Sequence, residues 1–419
     1  MLLFVNDRFG PEAAGSFSPD GQRRRAAERA AELGWPSIEA EEWRYSAITE
    51  LTLDDLQPAL APPAPGVAAP PVAAGDGVAA TVTLIDGWVV DVSVEPGWAA
   101  KGIQIEAAAP STDEAMVEAV TGEQTVFDLL HLAFCPGTLT IKIPVGLSVR
   151  EPIIIDNRHQ GEATASFSHL VVDASEGSDV TIVERQQSGT GHGLSVPIVD
   201  LTVANAARVS YQTIQELGLA HWQLGRQRSS VASQATLNSG LAAFGAHYAR
   251  ARFDSRLIGR GASASLATAY YGDGDQIHDF RLFQHHDACD TRSDLLFKGA
   301  QDASSGSIYT GLIHIHPDGA GSNAFQTNRN IKLGPDAWAW SVPNLEIENN
   351  DVHCSHASTV SPVDEDQQFY LGARGVPPVA ADRLIVAGFF DEVIQRMPAG
   401  TRDEVRALVA AKLDRRSAS

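Results

Sequence analysis

The residues best suited to chemistry stand together in the tetrapeptide His353-Cys354-Ser355-His356. In a β-strand, residues two apart point to the same face, so a strand at this position would place Cys354 beside His356. A thiolate next to an imidazole is a soft, mixed ligand pair that suits iron–sulfur clusters, zinc or Cu(I). An adjacent imidazolium would also lower the pKa of the thiol and make it a better nucleophile or sulfur acceptor.

Two interpretations of this pair stay open at the level of residue types. A tetrahedral metal centre needs four ligands, so a metal bound by these two would be shared with another chain or held only transiently. In the other interpretation the thiol is buried, the neighbouring histidine is hydrogen-bonded, and neither has a chemical role.

A second group of possible metal ligands comprises His278, His285, His286 and Cys289. Histidine is a common metal ligand, but the spacing of these residues matches no known cage. His285, His286 and Cys289 are therefore weaker candidates than the tetrapeptide. Cys135 is followed by Pro-Gly, which predicts a turn and a structural role.

No catalytic motif accompanies these candidates in the sequence. The chain contains no phosphate-binding loop, no Gly-x-Ser-x-Gly elbow and no dinucleotide fingerprint. Glu346 and Glu348 would share a strand face, but acidic pairs are common in a chain with 52 Asp and Glu residues. The sequence therefore does not predict a self-contained enzyme.

Charge and cysteine usage exclude several classes of partner. The chain has 31 Lys and Arg against 52 Asp and Glu, a formal charge of -21, which would repel a nucleic acid. The apolar run at residues 1–5 is too short for a signal peptide or a membrane span. Three widely separated cysteines predict no disulfide framework and suit a reducing cytoplasm.

The stretch that must position the tetrapeptide runs from about residue 138 to residue 356 and is rich in predicted strands. Segments 168–172, 180–185, 209–215 and 345–352 alternate polar and apolar residues or are apolar for a few positions. Short turn clusters separate the segments, at 176–179, 205–206, 238–240 and 272–274. Turn clusters that recur every 20 to 30 residues or so are typical of solenoids.

Two architectures fit this pattern, a parallel β-helix and a cupin-like jelly roll. Cupins bind their metal with a His-x-His motif and a Glu a few residues later. His314-Ile315-His316 lacks that Glu. The alternative function is nevertheless a mononuclear metal enzyme on a cupin-like β-roll, using His314, His316 and a third group.

The regions on either side of the strand-rich core have different sequence patterns. We expect an N-terminal helical region at 1–57, a Pro/Ala-rich linker at 58–78, a mixed α/β lead-in at 79–137 and a C-terminal helical region at 357–419. In the lead-in, residues 82–90 predict two strands around a turn and residues 116–134 predict a helix. The C-terminal region carries an apolar stripe that includes Leu384, Ile385 and Phe389, with Phe389-Phe390 exposed. It predicts either packing on the strands or a docking face for a partner.

Several runs of residues in the C-terminal half form a specific signature. They are Pro-Asn-Leu-Glu-Ile at 343–347, the run 351–356 that ends in Cys-Ser-His, Phe-Tyr-Leu at 369–371, Arg374-Gly375 and Gly388-Phe389. These runs resemble the SufB/SufD family, and within it the SufD branch. Near the start, Glu-Glu-Trp-Arg-Tyr-Ser at 41–46 is similar too, as is Lys298-Gly299. The chain departs from the family pattern at 357–359, where Ala-Ser-Thr replaces Gly-Ala-Thr.

The resemblance implies a mainly β fold, a right-handed parallel β-helix core with helical segments at both ends. It implies a non-catalytic cytoplasmic scaffold that works with a SufB-like subunit and a SufC-like ABC ATPase in iron–sulfur cluster assembly. The cluster would be transient and shared with SufB, with none tightly bound to the isolated chain. Carried over, His356 is a cluster ligand with Cys354 beside it, and Leu384, Ile385 and Phe389 belong to the SufC-binding helices. A homodimer in isolation is left open.

Overall fold

Strands dominate the computed structural model, which describes residues 7–17, 21–64, 77–108 and 124–418. About 45% of the chain is strand and 22% helix, arranged as a β-solenoid of about eight turns with helices at both termini. The prediction of a mainly β, parallel β-helix with helical ends is confirmed.

The described helices lie at the two ends and in the lead-in. They are α1 (Pro11–Phe17), α2 (Gln22–Leu33), α3 (Pro96–Ala100), α4 (Val126–Phe134), α5 (Glu365–Ala373), α6 (Pro378–Ile394) and α7 (Arg402–Ala418). Short 3-10 turns occur at Asp7–Phe9, Glu41–Trp43, Ile48–Glu50 and Ala399–Thr401. The helix predicted at 116–134 is confirmed over α4, while residues 116–123 lie outside the described residues.

The described strands follow one another with short turns. They are β1 (Gln57–Pro58), β2 (Ala80–Ile85), β3 (Trp88–Val94), β4 (Gln104–Ala108), β5 (Thr138–Ile143), β6 (Ile153–His159), β7 (Thr164–Ser166), β8 (His169–Ala174), β9 (Asp179–Ser188), β10 (Gly193–Ser195), β11 (Ile198–Val203), β12 (Arg208–Glu216), β13 (His221–Val231), β14 (Thr236–Ala243), β15 (Tyr248–Leu257), β16 (Ser263–Gly272), β17 (Ile277–His286), β18 (Arg292–Gln301), β19 (Gly306–Ile315), β20 (Ser322–Lys332), β21 (Trp338–Ile347) and β22 (Val352–Pro362).

From β11 onward, successive strands alternate between two sheets, so each pair of strands makes one coil. The first sheet has the order β21-β19-β17-β15-β13-β11-β8-β5-β4, and the second has the order β22-β20-β18-β16-β14-β12-β9-β6-β2-β3. All neighbours on these two paths are parallel except the pairs β4/β5 and β2/β3, which are antiparallel and close one end. At the other end, β21 and β22 are the terminal strands of their sheets.

The turns between coils use residues that tolerate a left-handed backbone. Gly177, Gly274 and Ala206 have φ values of 66°, 60° and 56°, as the predicted turn clusters around them require. The cluster at 238–240 is the exception, because it lies inside β14. A Cβ on Gly240 would stand 2.0 Å from the Gln212 side chain, so this glycine makes room for a buried amide on the neighbouring strand and does not mark a turn.

The segment 345–352 also differs from its prediction of one continuous strand. β21 ends at Ile347 and β22 begins at Val352, so the chain turns between them. The turn is held by the Asn349 side chain, which accepts a hydrogen bond from the Asp351 N–H and donates one to the Pro317 carbonyl. Asn is favoured at such turns because its short amide bonds nearby backbone groups. After this turn, β22, which carries the tetrapeptide, forms the terminal strand of the second sheet.

Both outer faces of the solenoid are covered. The N-terminal helices and α4 bury Phe127, Phe134 and Trp43 against strands of the first sheet. Helices α6 and α7 bury Phe390 and Val409 against the outer face of the second sheet. Burial of a large apolar side chain stabilises by about 1.5–3 kcal/mol relative to exposure, so these contacts hold the helical regions on the sheets.

Strands of the two sheets extend beyond the region expected to form the β-helix core. β22 continues to Pro362, beyond the core boundary expected at residue 356. In the lead-in, β2 pairs in parallel with β6 and so forms part of the second sheet. The middle of the expected linker, residues 65–76, lies outside the described residues. Within the described part of the chain, no helix combines the length and apolar composition that crossing a membrane needs.

Candidate functional site

Cys354 and His356 lie on β22, the last strand of the second sheet. In the ladder with β20, Cys354 pairs with Ala324 and His356 pairs with Gln326. Ala324 and Gln326 are both buried inside the preceding coil. Paired residues in a parallel ladder point to the same side of the sheet. Cys354 and His356 therefore extend the inner face of the solenoid at its open end.

The two side chains differ in exposure. His356 is exposed, and Cys354 is half-buried against the apolar cluster that contains Ala324. Burial raises the pKa of the Cys354 thiol, although the Ala324 backbone opposes the shift with a hydrogen bond. The expectation that an adjacent imidazolium lowers this pKa is therefore wrong, since burial raises it. A metal ion bound at Cys354 would supply the positive charge that stabilises the thiolate.

The open end around this pair is apolar and has free strand edges. Trp340 and Val342 on β21 and Val360 on β22 are large apolar side chains exposed to solvent. The Tyr45 ring from the N-terminal segment stacks on Trp340 with centroids 5.0 Å apart. An exposed strand edge with an apolar patch is a surface to which another protein can add strands. Cys354 and His356 thus lie at a surface of this kind.

A groove of about 790 Å³ lies beside this end, between β20, β22, α5 and α6. Leu384, Ile385 and Phe389 line it, and Leu384 is 56% exposed. Phe390 is fully buried against the second sheet and Phe389 is half-buried, so the expectation that both phenylalanines are exposed is wrong. The reason is that α6 has two apolar faces: one packs on the sheet and the other lines the groove.

The structure divides the second group of candidate ligands. Each ring nitrogen of His286 is hydrogen-bonded to a hydroxyl, of Thr291 at 2.7 Å and of Ser293 at 2.9 Å, so His286 has no nitrogen left for a metal. Cys289 is a free, partly buried thiol in the turn after β17. His278 is buried near the opposite end of β17.

His285 instead joins His314 and His316. Strand register places His285 directly beside His314, and His285 Nδ1 lies 3.2 Å from His316 Nε2. One ligand atom from each of the three rings lies within 4.8 Å of the others. Glu348 Oε1 accepts a hydrogen bond from His314 Nε2 at 2.6 Å. Burial, then the nearby Arg256, lowers the pKa of His285 to about 4, so this ring is neutral near pH 7.

Sequence reasoning missed a third group, formed by His131, Cys135 and His169. Only Cys135 was singled out, as a structural residue. The spacing of His131 and Cys135, four residues apart at the end of a predicted helix, is a signal that could have indicated a shared face. His169 gave no such signal, because only the stacking of coils brings β8 to α4.

Comparisons with known proteins agree with this architecture. A family model described as "SUF system FeS cluster assembly, SufBD core domain" matches residues 156–389, more than half of the chain. The chain belongs to the SufBD family. This membership supports a role in iron–sulfur cluster assembly. The range matched by the SufBD core model contains Cys354, His356 and the groove-lining residues of α6, whereas His131 and Cys135 precede it.

Relatives within the SufBD family cover about two thirds of the chain. An iron–sulfur cluster assembly SufBD family protein of Mycobacterium bovis is 31% identical over 280 residues, 65% of this chain and 67% of the relative. The corresponding protein of Mycobacterium leprae is 30% identical over 260 residues, 60% of this chain and 65% of the relative. The iron–sulfur cluster assembly protein SufD of Bacillus subtilis is 25% identical over 303 residues, 71% of this chain and 69% of that protein.

Proposed function

We propose that this chain is a non-catalytic scaffold subunit that helps to assemble iron–sulfur clusters with a SufB-like and a SufC-like partner. The observation that carries the proposal is the position of Cys354 and His356, on the inner face of the terminal strand β22. A neighbouring subunit that stacks on this end would meet both side chains. The cluster is cargo, held transiently between two subunits.

The chemistry of the pair fits a shared site. A thiol and an exposed imidazole offer one sulfur and one nitrogen ligand, which is half of a four-coordinate centre. The SufB-like partner would supply the other ligands. His356 is the primary ligand in this proposal, and the Cys354 thiol loses its proton to solvent when its sulfur binds iron of the cluster.

Docking of the SufC-like ATPase is proposed at the groove between α5 and α6. Three apolar side chains of α6, Leu384, Ile385 and Phe389, stay accessible there although the opposite face of α6 is buried. Hydrophobic pockets of this kind are where partner anchors insert. ATP hydrolysis belongs to that partner, and we propose the cytoplasm as the compartment, since its reducing conditions suit three free cysteines.

The alternative function required a cupin-like β-roll that binds a mononuclear metal. The chain has a parallel β-helix instead, so the fold does not support this alternative. Its residues His314 and His316 do meet a third histidine, His285. We retain this group as a secondary metal-binding candidate on the scaffold, next to the turn that leads into β22.

The proposal is tested with His356→Ala in the complex co-expressed with its SufB-like and SufC-like partners. We expect iron and acid-labile sulfide in the purified complex to fall roughly tenfold or more, because one ligand of a shared site is lost. Co-purification of both partners should not change, since His356 is exposed and contributes little to packing.

His353→Ala is the matched control, because His353 is on the same strand but points to the face of β22 opposite to Cys354 and His356. It should retain the iron and sulfide content of the wild type. Wild-type cluster content in the His356→Ala complex would remove the ligand role of His356 and with it the proposed shared site.

A further inference from the structure

Three buried side chains converge where α4 meets the first sheet. His131 lies in the last turn of α4, Cys135 caps its C-terminus, and His169 is the first residue of β8. One ligand atom from each residue lies within 4.8 Å of the others. All three residues are at most 3% exposed. The group is remote in sequence from the tetrapeptide at 353–356 and has no part in the proposed cluster site.

Each histidine has one ring nitrogen without a partner in this buried place. His131 Nε2 and His169 Nδ1 make no hydrogen bond. A buried polar atom that is left unpaired costs about 1–3 kcal/mol. The neighbouring thiol does not relieve this cost, because Cys135 Sγ donates to the Gly137 carbonyl at 3.3 Å. Two unpaired nitrogens beside a thiol indicate a site that is completed by something else.

The other two ring nitrogens are anchored to groups that can only accept. His131 Nδ1 lies 2.9 Å from the Val196 carbonyl, and His169 Nε2 lies 2.8 Å from the Asp200 carboxylate. Each of these nitrogens must therefore carry the proton, which leaves a lone pair on the unpartnered nitrogen of a neutral ring. Arg228 in turn binds both oxygens of Asp200 at 2.5 and 2.6 Å. Metal-ligating histidines are held by carbonyl and carboxylate groups in this way.

We propose that His131, Cys135 and His169 form a metal site for a thiophilic, late first-row divalent ion, with zinc as the occupant. Two imidazole nitrogens and one thiolate are a donor set that zinc binds well. On binding, the Cys135 thiol loses its proton to solvent and the sulfur forms a bond to the ion, so one positive charge of the ion is neutralised. This inference departs from the expectation that the isolated chain holds no tight metal.

Such an ion would link α4 to strand β8. α4 packs with the N-terminal helices, whereas β8 is part of the first sheet. A bond from α4 through the ion to β8 would resist the separation of these helices from the sheet, because metal-binding energy adds to folding energy. With three protein ligands the ion would keep a fourth coordination position for water or another donor, and the existence of the site does not depend on the cluster-assembly role.

The test measures metal in the full chain produced with added zinc, and again with added cobalt. Compared with wild type, Cys135→Ser is expected to hold about one zinc fewer per chain and to lack a thiolate-to-cobalt charge-transfer band in the near ultraviolet. The matched control, Cys289→Ser, removes a different free thiol and should keep both. A strong chelator should lower the Tm of wild type and Cys289→Ser but not that of Cys135→Ser.

Equal zinc content and equal cobalt absorption in wild type and Cys135→Ser overturn the proposal. If Cys135→Ser does not fold, X-ray absorption at the zinc edge decides the question on His314→Gln, a variant in which the histidine group on β19 is weakened. One sulfur at about 2.3 Å with two imidazole nitrogens at about 2.0 Å supports the site. A shell without sulfur, or a chain without zinc, refutes it.

Discussion

Two buried histidines show how strongly burial controls protonation in this chain. Burial lowers the pKa of His159 to about 4. Burial, then the proximity of His159 and His192, lowers the pKa of His221 to about 2. The rings of His159 and His221 lie 5.1 Å apart, and Ser166 satisfies only one nitrogen of His159. A proton on either ring would therefore be a buried charge without a counter-ion.

The first prediction concerns stability as the pH falls. The folded pKa of His159 lies below the value of about 6.5 for an unfolded histidine, so the unfolded chain takes up the proton first. The stabilisation is complete above about pH 6.5 and is lost as the pH falls toward 4. For this group alone the loss is roughly 2 kcal/mol at about pH 5.

His159→Gln removes the titrating group and should show a weaker loss of the free energy of unfolding between about pH 7 and pH 5. Urea denaturation at both pH values measures the difference. His353→Gln, at an exposed position, should follow the wild type. Parallel pH dependence in wild type and His159→Gln would show that His159 is not the group responsible.

At the scale of elements, a row of arginines fastens α4 and the N-terminal segment to the first sheet. Arg226 pairs with Asp128 of α4, whereas Arg252 pairs with Glu42 and Arg281 donates to the Arg44 carbonyl. Arg226, Arg252 and Arg281 stand in register on β13, β15 and β17. Such a row is tolerated because carboxylates lie between the guanidinium groups. Asp279 is the most buried of them, at 0% exposure, and it pairs with both Arg250 and Arg281.

The second prediction is that Asp279→Asn destabilises the chain by about 3–5 kcal/mol, since it removes the negative charge that the buried Arg250 and Arg281 share and leaves Arg250 with Glu42 alone. The side chain keeps its shape, so the effect reports charge and not packing. Urea unfolding measures the free energy. Asp290→Asn is the control, because the Arg260–Asp290 pair is exposed and should contribute no more than about 1 kcal/mol. Similar costs for the two variants would contradict the role assigned to the buried network.

At the scale of the whole molecule, the solenoid has one closed end and one open end. Antiparallel strands β3 and β4 finish the sheets at the closed end, and β21 and β22 end them at the other. The open end carries Cys354, His356 and exposed apolar side chains such as Val360, while the groove is lined by Thr359 and Ser361, which point to the opposite face of β22. The molecule therefore has two distinct surfaces, to which the two proposed partners would bind.

The third prediction separates those surfaces. Val360→Asp places a charge on the open end and should abolish co-purification of the SufB-like partner, and any self-association of the isolated chain, while the SufC-like partner is retained. Leu384→Asp in the groove should have the opposite pattern. Val145→Asp, at an exposed position away from both surfaces, is the control. Pull-down and light scattering measure these outcomes, and loss of both partners from either variant would argue against two independent surfaces.

The local elements, and the position of Cys354 and His356 on one strand face, could be predicted from neighbouring residues alone. Helix α2 and the strands near residues 168–172 and 209–215 were predictable because alternation and turn residues act over a few neighbours. Which face of β22 is the inner one could not be predicted, since that depends on the coil beneath it. The meeting of His285 with His314, and of His169 with Cys135, depends on the stacking of coils, whose register is set by packing between residues about thirty positions apart or more.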